Sequence, residues 1–197
     1  MDFLPIRRAL LSVTDKTDLA PFAEFLVNGG ATLVSTGGTF KALQSAHLPV
    51  TQVSDVTGFP EIMDGRVKTL HPKIHGGILA DKDNPDHLAQ LATHGIETFD
   101  LICVNLYNFA EAVQQGLDAR GAIEQIDIGG PCMLRAAAKN FHSMLVVPHP
   151  QFYPEIKATL EANGGKAPLE LRRKMAAATF AATSAYDRMI ADYLGCK

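Results

Sequence analysis

Arg66 and Lys68 stand one residue apart in the run Gly65-Arg66-Val67-Lys68-Thr69-Leu70-His71-Pro72, with a glycine before them and a proline after. In an extended segment the two cations project to one side and Val67 to the other. With the Thr69 hydroxyl beside them, they make a receptor for an oxyanion or a polarised carbonyl. The competing reading is a solvated loop whose charges serve solubility, and for an arbitrary pair of cations that is the default. Three further segments carry complementary chemistry.

Ser35-Thr36-Gly37-Gly38-Thr39 lies between a predicted strand and a predicted helix. Its glycines let the backbone approach an anion closely, its threonines supply hydroxyls, and a helix N-terminus adds free N–H groups and its dipole. That describes a phosphate cradle; it equally describes a tight turn with Thr39 as helix cap. Thr14-Asp15-Lys16, after the first strand, brings a hydroxyl and a flexible ammonium to the same edge. Asp127 sits among apolar residues in Gln125-Ile126-Asp127-Ile128-Gly129-Gly130-Pro131, ahead of a helix expected over Cys132–Asn140. It reads either as a reactive carboxylate or as a helix-start acid favoured by the dipole. Arg135 and Lys139, four residues apart, share a face of that helix. Asn105 could bind a carboxamide or a ring, and Tyr107 could stack or donate, although a tyrosine at a core edge needs no site to explain it. His71 and His75 lack the further ligands a zinc site requires, so no metal is expected, and Pro72 argues against one regular helix joining them.

The elements that must position these groups alternate. Strands are expected at Arg8–Val13, Thr32–Ser35, Phe99–Asn105 and Ser143–Val147, with Pro49–Val53 extended. Helices are expected at Thr17–Asn28, Thr39–Ala46 and from Leu169 to Leu194. Strands apolar on both faces belong in a buried parallel sheet, and the alternation gives an α/β fold. Ligands of such sheets bind beyond the carboxyl ends of the strands, where the Thr14, Thr36 and Asn105 loops fall. Asn163-Gly164-Gly165 and Pro168 mark the one expected loose linker.

A chain of 197 residues suits one domain, here residues 1–197. A net charge of −3 gives no support for binding nucleic acid through its phosphates. No apolar run approaches the roughly 20 residues that cross a bilayer. The N-terminus, with a proline and two arginines before a short apolar run, reads as a strand and not a signal peptide. Three cysteines (103, 132 and 196), without paired spacing, suit a reducing compartment, so a cytoplasmic protein is expected.

In their order, LLSVTDKTDL, STGGT, DVTGFPEIMDGRVKTLHPKIHGGILA, VNLYNF and IEQIDIGGPCMLRAAAKN resemble the inosine monophosphate (IMP) cyclohydrolase domain of the bifunctional purine-biosynthesis family, its N-terminal half. The resemblance spans essentially the whole chain. It departs at Asn108, where the family usually has proline, and the family's formyltransferase domain is absent after the last helix. The resemblance implies a methylglyoxal-synthase-like three-layer α/β sandwich with a mainly parallel sheet. It implies closure of 5-formamidoimidazole-4-carboxamide ribonucleotide (FAICAR) to IMP with loss of water, no cofactor, and a homodimer. By the same resemblance Thr14, Lys16, Thr36, Gly37, Gly38 and Thr39 hold the nucleotide, with Asp15, Val67 and Val104 also in the binding set. Lys139 transfers a proton, with Asp127 working beside it on the carboxamide. Lys68 serves the formyl oxygen and Tyr107 positions the base or relays a proton. Arg66, Thr69, Asn105 and Ile128 hold the heterocycle. A methylglyoxal synthase and a non-catalytic nucleotide-sensing module share the scaffold and are the alternatives. All of this requires Lys68, Asp127 and Lys139 to surround one hollow.

Overall fold

Strands β1 (Phe3–Pro5), β2 (Arg8–Ser12), β3 (Thr32–Ser35), β4 (Val50–Gln52), β5 (Leu101–Val104), β6 (Leu145–Val147) and β7 (Lys166–Pro168) are short, and β5 and β6 are apolar throughout. The structure, a computed structural model, describes residues 1–106, 109 and 118–195. Among the described residues β4-β3-β2-β5-β6 form one sheet in that order, every pairing parallel. The runs Ala9–Leu11, Leu101–Val104 and Leu145–Val147 are buried throughout, because helices cover both faces. Helix Leu19–Asn28 packs with helices Gly37–Ser45 and Tyr153–Ala162, where Phe22 stacks on Tyr153 at 4.1 Å. Helices Pro72–Leu79, Gly129–Lys139 and Leu169–Gly195 make the other group. The result is the expected three-layer sandwich. No helix of the described residues is long and apolar enough to cross a membrane.

Chain order reverses around β2, which pairs with β3 on one side and β5 on the other. A crevice opens at such a switch point, beyond the carboxyl ends of the strands. The opposite ends are locked. Asp100 accepts from the Arg7 and Arg8 amides at 2.8 and 2.9 Å and pairs with the Lys82 ammonium. Arg172, fully buried, donates to the carbonyls of Met1, Asp2, Phe141 and His142, fastening the last helix to the chain's beginning.

Two expectations need correction. The Asn163–Pro168 stretch is not a loose linker: Gly164 and Gly165 turn the chain with φ of 60° and 79°, and β7 pairs antiparallel with β1. Both glycine-led helices begin earlier than expected, at Gly37 and Gly129, with Gly37 itself entering at a left-handed φ of 55°. As expected, no regular helix joins His71 to His75. The helix starts at Pro72, tolerated at the first position, and His71 stays extended outside it, capping it by accepting from the Lys73 amide at 3.1 Å.

Candidate active site

The ends of β2 and β5 and the start of helix Gly37–Ser45 are tied together before any ligand is considered. Asn105 Oδ1 accepts from the Thr14 and Asp15 amides at 2.7 and 3.0 Å, and its Nδ2 donates to the Asp15 carbonyl at 2.9 Å. The Thr39 hydroxyl accepts from the Val13 amide and donates to its carbonyl. Asn105 has thus spent both carbonyl lone pairs, and Thr39 one acceptor and its only donor, on the frame of the site. The asparagine expected to hold a heterocycle and the threonine expected to hold a phosphate are chiefly braces. Asp15 turns outward, its carboxylate capping the Thr17 amide at 2.9 Å, and the buried Val104 lies in the strand behind. Neither lines the cleft described next.

Beyond these braces lies a cleft of about 900 Å³. One wall is the Gly37-Gly38 turn. Thr36 is extended and its side chain caps nothing, which leaves the first helical N–H groups open to an anion. A β-carbon on residue 38 would lie 3.8 Å from Lys16 Nζ, and one on residue 37 would lie 3.7 Å from Lys68 Nζ. Two ammonium groups therefore stand over a backbone that only glycine keeps bare.

The second wall is a tight return of the chain. Met63, Asp64 and Gly65 all have left-handed φ, at 55°, 52° and 88°, and bring Val67 back to pair with Ile62. Arg66, Lys68 and Thr69 consequently line the cleft, and Val67 lines it too. The Arg66 guanidinium forms an ion pair with Glu124, at the end of helix Ala119–Glu124.

Asp127 closes the third side. Its Oδ1 accepts from the Gly130 amide at 2.9 Å, and its own amide donates to the Tyr186 hydroxyl at 2.8 Å. Burial pushes its carboxyl above the usual range, against the Gly130 N–H and the Lys68 charge, which both pull it down. A β-carbon at residue 130 would lie 2.3 Å from Asp127 Oδ2, and one at residue 129 would lie 2.7 Å from Thr69 Oγ1. A side chain at either glycine would push aside the Thr69 hydroxyl or the Asp127 carboxylate. A partly desolvated carboxylate and an ammonium in one cleft, beside an anion cradle, can move a proton on a phosphorylated substrate while steadying negative charge.

Lys68 and Asp127 are brought together, and Ile128 joins them, 56% exposed at the cleft. Lys139 is not. It lies about 15 Å along the helix axis from Gly129 and lines a neighbouring groove of about 750 Å³ with Arg135, His75, Leu79 and Phe180. Successive helix faces explain the separation: Gly130 and Met133 face the cleft, while Cys132, Arg135, Ala136 and Lys139 face the groove. Leu70 lines both hollows. Tyr107 lies outside the described residues. Sequence reasoning passed over Ser12, Met63, Ile123 and Glu124, which also line the cleft. Glu124 could have been found, since it lies three residues before Asp127 in a segment already singled out; isolated apolar residues carry no such signal.

Comparison with known proteins bears on this arrangement. The family model of the MGS-like domain matches residues 18–132, and that of the AICARFT/IMPCHase bienzyme matches residues 137–197. The bifunctional purine biosynthesis protein PurH of Rhodospirillum rubrum is 54% identical over 187 residues, covering 95% of this chain and 36% of the relative. PurH of Dinoroseobacter shibae is 51% identical over 193 residues, covering 98% and 36%. The chain thus spans 36% of the length of these relatives. Among solved structures, that described as the crystal structure of ForH is similar with a TM-score of 0.87 and 38% identity, over 96% of this chain and 97% of that one.

Proposed function

The chain belongs to the family of MGS-like domains, and from that premise we propose that it is an IMP cyclohydrolase, closing FAICAR to IMP in purine biosynthesis. The observation that carries this reading is the sharing of one cleft by Lys68, Asp127 and the two-lysine glycine turn. A sensing module would need the turn alone, and a methylglyoxal synthase would share it; the PurH relatives and the bienzyme match favour the cyclohydrolase.

In this mechanism the 5′-phosphate lies on the Gly37-Gly38 turn between Lys16 and Lys68. The carboxamide nitrogen attacks the formyl carbon, and Asp127 takes the proton that the nitrogen sheds. The formyl oxygen becomes an oxyanion, stabilised by Lys68, and takes up that proton to give a hydroxyl. The hydroxyl then leaves as water with a proton matched by the one the formamido nitrogen gives up as its C=N bond forms. Attacking and attacked groups belong to one molecule, so the cleft accelerates chiefly by holding them in register. The protein would work in the cytoplasm as a homodimer, the exposed Leu79 and Phe180 of the neighbouring groove offering apolar surface for a second copy.

Incubating the 197-residue protein with FAICAR and following IMP by ultraviolet absorbance tests the reading. Ring closure supports it; IMP binding without turnover would point to the sensing module, and phosphate release from dihydroxyacetone phosphate to the synthase. Lys139 has its own test. If it delivers a proton from the groove, Lys139→Ala loses turnover by about 10²-fold or more; unchanged turnover and an unchanged pH–rate profile remove it from the mechanism.

A further inference from the structure

The two walls that flank the cleft's mouth belong to different parts of the chain. One is the left-handed turn at Met63–Gly65 with Arg66 behind it; the other is helix Ala119–Glu124, which leads within three residues to Asp127. The Arg66–Glu124 ion pair joins them, and both partners line the cleft. Their side chains are 65% and 44% exposed, so the pair adds little to the stability of the fold. Its consequence is geometric. A guanidinium is planar and carries five N–H groups. Glu124 binds one terminal nitrogen, which orients the plane and leaves the other N–H groups for a ligand.

Arginine on an exposed turn otherwise samples many rotamers, and ordering it on binding costs affinity. A carboxylate already holding it removes part of that cost. We infer that Glu124 is a positioning residue for the nucleotide site, acting through Arg66 to pre-orient its guanidinium over the mouth of the cleft. This rests on the nucleotide reading above.

A double-mutant cycle tests it, with wild type, Glu124→Ala, Arg66→Ala and the double variant compared by calorimetric IMP binding and by KM and kcat for FAICAR. Glu124→Ala is expected to weaken IMP binding and raise KM about five-fold, with kcat changed less and the melting temperature unchanged. In about 1 M salt, where screening acts over roughly 3 Å, the effect should shrink. On the Arg66→Ala background the second substitution should cost nothing further, because Glu124 acts only through Arg66. Wild-type affinity and KM in Glu124→Ala, or an undiminished additional loss in the double variant, would overturn the inference. Wild-type protein that binds IMP without closing FAICAR would instead overturn the cyclohydrolase reading, and the binding cycle would still decide the role of Glu124.

Discussion

Asp127→Asn should lower turnover by roughly 10²–10⁴, the contribution of one positioned proton-transfer group, and should at the same time make the folded protein more stable at neutral pH. The two effects share a cause. Burial raises the Asp127 carboxyl above its usual range, so the folded state binds this proton more tightly than the unfolded chain does. The ionised carboxylate therefore destabilises the fold above the raised pKa, and the penalty disappears as pH falls below the unfolded value. Asparagine removes the charge yet can keep the acceptor for the Gly130 amide. The gain should be roughly 0.5–2 kcal/mol at neutral pH and should fade towards acid, read from thermal melts at several pH values beside the ring-closure rate. A variant that is inactive and also less stable at neutral pH would mean that the carboxylate is chiefly structural.

Lys68→Ala should lose about 10²–10³ in turnover, the scale for removing one oxyanion donor. It should also weaken IMP binding, because its Nζ stands beside the Gly37 turn as well as within the electrostatic reach of Asp127. An ammonium close to the glycine turn and felt by Asp127 predicts losses in kcat and in affinity together. Wild-type turnover in this variant would remove Lys68 from the mechanism.

The parallel sheet was legible in the sequence because strands buried on both faces, such as Leu101–Val104, admit almost no polar residue. The switch point followed from it, and with it the loops that line the cleft. The helix starts at Gly37 and Gly129 were misplaced because a glycine pair reads as a turn, and nothing local says that the turn is already helical. The pairing of β7 with β1 is a contact between the chain's two ends, invisible to any window. At the site, residue types pointed to Lys68, Asp127 and the glycine turn, which line one cleft. Types could not reveal that Asn105 and Thr39 spend their hydrogen bonds on the backbone of the strand ends. Nor could spacing decide which side of a helix faces which hollow: Met133 and Lys139 are six residues apart and diverge.

The central claim is that Lys68 and Asp127 act on one substrate in one cleft. Its most direct measurement is the pH dependence of FAICAR closure in the wild type and in Lys68→Ala, the slow variant followed in single turnover. The acid limb should report the Asp127 carboxylate and lie above the ordinary aspartate value of about 3.9. Because the Lys68 charge pulls that carboxyl down, its removal should carry the limb to still higher pH. An acid limb at the same pH in both proteins would contradict the account.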